Sequence, residues 1–330
     1  MNPLVTFVIP VYNAERFLEE TVESALNCGY EPLEVILVED GSTDTSNKIC
    51  QSLKIKSPHV KVLQHEKGIN KGASASRKLG INNSKGEFIY FLDADDVLLT
   101  GVIKQYIHIF TKNPDAVLIH GEIQVVDPPE GMKNLEDGFV IGLSDRKYFL
   151  AEEPYYLINN RICNSTVCVR KKILEGIDFD YRQSLPLGED WVLWNLLAQR
   201  GYFYYFAKPV IHYRIHENSA TCQAIHKGDR FVQYNLIENY LCLMTKTTDT
   251  QLKQKVKENL LDLINELYKS YQSIPLAKNG EEGVFNDLTP NAELVLSLKK
   301  KINNLEKGYG YYFFFIYIIK KLLSKLFLKK

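Results

Sequence analysis

This sequence predicts an α/β fold, a mostly parallel sheet flanked by helices, on three observations. Apolar runs and amphipathic stretches alternate as strand-helix-strand-helix-strand-helix-strand up to residue 96. That rhythm implies parallel strands joined by right-handed crossovers. Two of those strands end in clustered acids, Glu39-Asp40-Gly41-Ser42-Thr43-Asp44 and Asp93-Ala94-Asp95-Asp96, and the carboxyl edge of such a sheet is where ligands bind. Beyond about residue 225 the pattern turns helical, which predicts a helical extension to the sheet domain.

The elements follow in order. Residues 4–10 read as a buried strand ended by Pro10. Asn13 reads as the N-cap of a helix with Phe17, Leu18, Val22, Ala25 and Leu26 on its apolar face. Gly29 and Pro32 precede a strand over 33–38. A helix over 45–55, a strand over 60–63, a Gly- and Lys-rich loop over 65–71 and a helix over 73–83 come next. Gly86 then opens Phe88-Ile89-Tyr90-Phe91-Leu92, a continuous apolar run that suits a strand buried on both faces. If that strand persists, Asp93 and Asp95 project from the same side. Carboxylates crowded this way need a positive partner, and a hard divalent cation is the usual one.

After residue 97 the spacing predicts a helix over 102–110 and a strand over 116–120. A loop rich in Pro, Gly and acid spans 127–146, with a short helix over 148–158 and a strand over 165–169. Gly188-Glu189-Asp190 opens a helix with Trp191, Trp194, Leu197 and Ala198 on one face. Strands over 202–206 and 210–215, joined by a Lys-Pro turn, follow it. A helical period through Leu252, Val256, Leu260 and Leu263 and a polar linker over 273–290 complete the extension.

Forty basic and forty acidic residues balance in 330, which argues against a nucleic-acid partner. The balance hides an asymmetry. Residues 301–330 hold seven Lys and one acid, a net of +6, so the first 300 carry −6. The six Cys form no CxxC pair and read as buried thiols of a reducing compartment. The first residues enter a strand-like run with no basic, cleavable leader, so the expectation is a cytoplasmic protein. The apolar run at 311–319 is cut by Lys320 and Lys321, short of the ~20 residues a membrane span needs. Leu322, Leu323, Leu326 and Phe327 then oppose Lys321, Ser324, Lys325 and Lys329. This predicts a basic amphipathic helix over 309–330, peripheral on the inner face of the cell membrane.

The ordered set Ile9-Pro10-Val11-Tyr12-Asn13, Val38 to Asp44, Asn70-Lys71-Gly72 through Arg77, Gly86 to Asp96 and Gly188-Glu189-Asp190 resembles the family 2 glycosyltransferases of GT-A fold, of the bacterial surface-polysaccharide type. The resemblance covers roughly residues 4–217. It implies a GT-A domain over 1–225, with a nucleotide-sugar half at 1–100 and an acceptor half at 101–225, followed by the helical extension at 226–308.

A carboxylate at a strand end suits the imide N–H of uracil or thymine, and the resemblance gives Asp40 that role. Pro10, Tyr12 and Glu39 would line the pocket with Arg77 nearby. A departing diphosphate builds negative charge that a divalent metal, Mg²⁺ or Mn²⁺, neutralises. By resemblance Asp95 is the principal metal ligand and Asp93 serves ribose or metal, while Asp96 contacts the metal or caps the next helix. Asp190, with Glu189 beside it, is the general base that takes the acceptor proton, and the anomeric carbon inverts. Arg214, His216 and Ser219 match a loop that closes over the diphosphate, with Arg214 on phosphate and His216 on phosphate or metal. Lys67 and Lys71 read as solvated loop residues.

The expected function is metal-dependent inverting transfer of a sugar from a nucleotide-sugar, UDP-sugars favoured, to a glycan or lipid-linked glycan acceptor. Two alternatives share the pattern. A non-catalytic nucleotide-sugar or glycan-binding module would have lost an acid at 95 or 190, and both are present. A processive polysaccharide synthase would carry a QxxRW motif and membrane spans, which the sequence lacks.

Overall fold

The computed structural model describes residues 2–126, 144–149, 160–177, 188–227 and 229–272. The chain divides into two compact units, Met1–His226 and Lys227–Lys330. The polar linker and the amphipathic tail expected beyond residue 272 lie outside the described residues.

The first unit is built on β1 (Val5–Val11), α1 (Leu18–Leu26), β2 (Leu33–Glu39), α2 (Ser46–Lys56), β3 (Val60–Gln64), α3 (Ala73–Asn82) and β4 (Phe88–Phe91). The four strands are parallel, ordered β3-β2-β1-β4. Every residue of β2 and β4 is buried, as suits a sheet covered on both faces; Glu34 within β2 is buried with its carboxylate accepting from Thr6 Oγ1 at 2.7 Å and pairing with Lys61. β1 does not stop at Pro10 but runs to Val11. Pro10 stands opposite Val38, and the β1–β4 pairing reaches only Val8. The missing N–H of Pro10 therefore falls beyond the last β4 rung.

The second half mixes directions. β5 (Val97–Leu98), α4 (Val102–Lys112), β6 (Ala116–Val126), β7 (Arg146–Tyr148), β8 (Cys168–Arg170), α5 (Glu189–Leu197), β9 (Tyr202–Arg214) and α6 (Ala220–Lys227) follow. β8 inserts antiparallel between β4 and β6, while β9 runs parallel to β6. The two antiparallel steps bring β6 and β9 back to the direction of β1–β4. Strand ends from both halves thus meet at one edge, where the acid clusters lie.

Several local expectations change. Asn13 caps no helix. It adopts a left-handed backbone (φ 50°), and α1 begins at Leu18. Residues 202–214 are one long strand, because bulges against β6 at Gly121 and Glu122 absorb Lys208-Pro209 without a turn. Tyr148 lies in a strand rather than a helix, and Arg146 joins that strand rather than the loop. Asn164–Thr166 is a single 3-10 turn, with the strand starting only at Cys168. α5 is buried all round, not on one face. Gly86 serves close approach rather than a turn, since a Cβ there would lie 2.5 Å from Thr6 Oγ1.

The second unit contains α7 (Asp229–Lys246) and α8 (Thr250–Gln272). Asp249 caps α8, its Oδ1 accepting the N–H of Gln251 at 2.8 Å and of Leu252 at 3.0 Å. Val256, Leu260 and Leu263 are buried along α8, as their helical spacing predicts.

Candidate active site

The acid turn is the centre of the site. β4 ends at Phe91, so Asp93 and Asp95 do not alternate along a strand. They sit in a turn closed by Asp96 N–H donating to the Asp93 carbonyl at 3.2 Å. The turn is fastened from three directions. From α1, Thr21 Oγ1 donates to the Ala94 carbonyl at 3.0 Å. From the 3-10 turn before β8, Ser165 Oγ accepts the Asp93 N–H at 3.0 Å and Asn164 Nδ2 donates to Asp93 Oδ1 at 3.2 Å. From the end of β9, the Arg214 N–H donates to Asp96 Oδ1 at 3.1 Å and its guanidinium to the Asp95 carbonyl at 3.1 Å.

That same strand end delivers His216, whose Nε2 lies 3.0 Å from Asp95 Oδ2. The His216 ring packs on Phe17 at 4.7 Å, and the Arg214 guanidinium lies over the same ring at 5.2 Å. Arg214 also pairs with Glu20 at 2.5 Å. The guanidinium expected on phosphate is thus held against α1. Ser219, grouped with these residues by sequence, caps α6 by accepting the Cys222 N–H at 3.2 Å.

The ends of β1 and β2 form the second part. Asn13 Oδ1 accepts the Thr43 N–H at 2.8 Å, and Ser42 Oγ accepts the Asn13 N–H at 3.1 Å. Asp44 accepts the Glu15 N–H while Glu15 accepts the Thr45 N–H and hydroxyl. These polar residues lock the two loops to each other. Asp40 is 2% exposed, and its oxygens accept the N–H of Lys71 at 2.7 Å and of Gly72 at 2.8 Å. Burial raises its pKa despite those donors and the nearby His65. The Ser76 side chain is a further donor to this carboxylate. Glu39 is spent on the Ser42 N–H at 2.5 Å and on Gln64 Nε2 at 3.0 Å. Tyr12 is 51% and Ile69 49% exposed beside these loops, while Pro10 is half-buried.

Arg77 joins the third part. α3 sits close on the sheet because residue 80 is glycine; a Cβ there would lie 2.5 Å from Val8 Cγ1. One turn earlier on that face, the buried Arg77 donates to Asp93 Oδ1 at 2.7 Å and to Glu189 Oε1 at 3.0 Å. The first residue of α5 is thereby tied to the acid turn. Asp190 is half-buried, and the N–H of Trp191 donates to its Oδ1 at 2.7 Å. Desolvation by the surrounding protein, then Glu189, push its carboxyl up to about 7, against the opposing pull of Arg77.

The donor set fits a hard divalent cation. Asp96 is 1% exposed and its Oδ2 has no hydrogen-bond partner among the described residues. Burial, then Asp95 and Asp93, hold its carboxyl well above the usual carboxylate range. Three carboxyl groups thus crowd one turn, and a cation relieves crowding of this kind. Among the described residues no three His, Cys, Asp or Glu side chains form a cage. Mg²⁺ and Mn²⁺ sites of this kind use one or two protein carboxylates and complete the shell with phosphate and water.

The structure thus brings Asp93, Asp95, Glu189, Arg77, Arg214 and His216 together, with Asp190 at the same helix start. Pro10, Tyr12, Glu39 and Asp40 form the neighbouring strand-end group. The sequence pattern gives no sign of Asn164 and Ser165, or of Phe17 and Glu20, as parts of the site. Nothing local marks them, because their partners lie at least 70 residues away in sequence.

A sheet with a carboxylate turn at its edge and a second carboxylate pair at an adjacent helix start is the arrangement that the resemblance to GT-A glycosyltransferases implies. The sequence model of Glycosyl transferase family 2 matches residues 6–176, just over half of the 330, and the chain belongs to that family. It is 30% identical over 227 residues to the minor teichoic acid biosynthesis protein GgaB of Bacillus subtilis; the match covers 68% of this chain and 24% of GgaB. The chain therefore spans about a quarter of that relative. S. aureus TarS 1-349 in complex with UDP-GlcNAc superposes with a TM-score of 0.59 at 18% identity, covering 98% of this chain and 90% of that one. The mannosyltransferase PcManGT of Pyrobaculum calidifontis, in complex with GDP-Man and Mn²⁺, gives 0.55 at 14% identity, covering 100% and 89%. At such identities the likeness is one of fold.

Proposed function

We propose that this chain transfers a sugar from a nucleotide-sugar, with UDP-sugars preferred, to a glycan acceptor, inverting the anomeric carbon. The observation that carries the reading is the bridge Asp93–Arg77–Glu189, which brings the start of α5 to the acid turn. The carboxylates needed for donor and acceptor then share one site. Tyr12 and Ile69 offer an apolar platform for the base beside the Asp40 carboxylate. A divalent cation held by Asp95, with Asp93 and His216 beside it, would supply charge neutralisation at the diphosphate. Asp190 accepts the proton of the incoming hydroxyl. A base that titrates near neutrality is well matched to that task.

UDP-GlcNAc on TarS and GDP-Man on PcManGT support a nucleotide-sugar donor. The likeness to a teichoic acid biosynthesis protein supports a surface-polysaccharide acceptor, including a lipid-linked one. Among the described residues no helix is long and apolar enough to cross a membrane. The basic tail at 309–330 is the element proposed to hold the enzyme on an anionic lipid surface.

The test is binding and slow hydrolysis of UDP-, dTDP- and GDP-sugars with and without Mn²⁺ or Mg²⁺. Metal-dependent release of one nucleotide, with binding weakened by Asp95→Ala and turnover alone lost in Asp190→Asn, is expected. Binding of no donor under any condition refutes the reading.

A further inference from the structure

The family resemblance groups Glu189 with the catalytic Asp190 and Arg77 with the nucleotide-sugar pocket. The geometry gives both a different task. Arg77 is buried on α3, and both its terminal nitrogens are committed, one to Asp93 and the other to Glu189. Burial disfavours its charge, but Asp93 and then Glu189 outweigh burial and keep it protonated. Of the three only Arg77 is buried, Asp93 and Glu189 being partly exposed; losing either partner leaves the buried guanidinium charge less well compensated, which favours the observed geometry. It spans residues 112 positions apart and joins two elements with no shared strand.

We propose that Arg77 is a positioning residue for the base. By gripping Glu189 against Asp93 it sets where α5 begins, and thereby holds Asp190 beside the donor's acid turn. Glu189 is the handle of this grip rather than a proton acceptor. The proposal rests on the reading of Asp190 as the base. Among the described residues, the charged and titratable groups that act on Asp190 are Glu189 on α5, Arg77 on α3 and the buried Cys163 thiol before β8. The Asn160 side chain and the Trp191 N–H are its hydrogen-bond donors.

Arg77 and Glu189 bear on Asp190 with opposite signs, which separates this role from a merely structural one. The experiment uses the full chain and reads thermal unfolding from pH 4 to 10. Wild type, Arg77→Gln and Glu189→Gln are each compared with the same protein carrying Asp190→Asn as well. The difference within each pair isolates the titration of residue 190 and needs no substrate. An ionised Asp190 is penalised by burial, so its folded-state pKa lies above its unfolded one. Each protein that keeps Asp190 therefore loses stability, relative to its Asp190→Asn counterpart, as the pH rises from the ordinary carboxylate range. In wild type the loss is expected to level off near 7. Arg77→Gln should move that plateau to higher pH, and Glu189→Gln should move it to lower pH, each by roughly one pH unit.

If Arg77→Gln does not fold, the Glu189→Gln pair decides, with a downward shift supporting the proposal and an unmoved plateau overturning it. Plateaus that stay fixed or move together overturn it as well. UDP binding, measured with Mn²⁺, should stay within about twofold in Glu189→Gln while UDP-sugar hydrolysis falls at least tenfold. Equal loss of both would make Glu189 a binding residue and overturn the proposal. Failure of wild type to bind any donor would instead refute the proposed function, leaving the stability shifts as an independent readout.

Discussion

Asp190 is the residue on which pH should act. Its carboxyl is pushed up to about 7 by burial and Glu189, so it is half ionised near neutrality, and on the proposed function it is the base. Hydrolysis of the preferred donor should therefore rise through pH 7 and level off above it, and a rate that is flat from pH 5 to 9 would exclude this carboxylate as the base. Asp190→Asn should cost about 10²–10⁴-fold in turnover with donor affinity kept. Tyr12 carries a second prediction. An exposed ring beside the strand ends has little folding role, so Tyr12→Ala should leave the unfolding temperature unchanged and weaken UDP binding. A base–aromatic stack is worth about 1–3 kcal/mol, so calorimetry should show at least a fivefold loss. Asp93, Asp95 and Asp190 are legible as single residues because acids at strand and helix ends are conspicuous. The commitments of Arg77 and Arg214 are not, since a basic residue in sequence does not announce which carboxylate it meets.

Elements place these residues by close approach. Gly41 has a left-handed φ of 73°, and a Cβ there would lie 2.7 Å from the Gly68 carbonyl oxygen and 2.8 Å from the Asn70 nitrogen. Both neighbours are backbone, so they cannot swing aside. Gly41→Ala should destabilise the fold by about 1–3 kcal/mol and weaken nucleotide binding by displacing the 68–72 loop that Asp40 holds. Unchanged unfolding and binding together would show that this loop is not part of the pocket. The strand-helix rhythm to residue 96 is readable because strands buried on both faces carry unbroken apolar runs. The sequence of β9 reads as two strands, since Lys208-Pro209 resembles a turn and only the partner strand β6 shows that bulges carry it through. Asn13 misleads for a related reason. An Asn before a helix resembles a cap, yet its side chain crosses to the next loop and accepts from Thr43.

At the scale of the molecule, the chain joins a family 2 glycosyltransferase unit to a helical one. Cys28, Cys50, Cys163, Cys168 and Cys222 are buried free thiols, as the lack of paired spacing implies. On the proposed function, the net +6 of residues 301–330 against −6 in the remainder is the charge that would draw the tail to anionic lipid. Deleting residues 309–330 should therefore move the protein from vesicles containing phosphatidylglycerol to the supernatant while donor hydrolysis continues. Raising the salt to about 0.5 M should weaken binding of the full chain, because screening acts on exposed charge. Sedimentation of the truncated protein with those vesicles would refute the anchor.

Local pattern is enough for the α/β class and for the carboxylates that stand at one edge of the sheet. Each of these depends on periodicity and on residue type at an element's end, which a linear chain records directly. Partnership is beyond it. Whether Asp93 faces Arg77, whether His216 reaches Asp95, and whether Glu39 and Asp40 are ligands or loop anchors depends on contacts between residues 16 to 121 positions apart. Those contacts form only when α3, α5 and the end of β9 pack around one turn, and packing is a property of surfaces that the order of residues does not display.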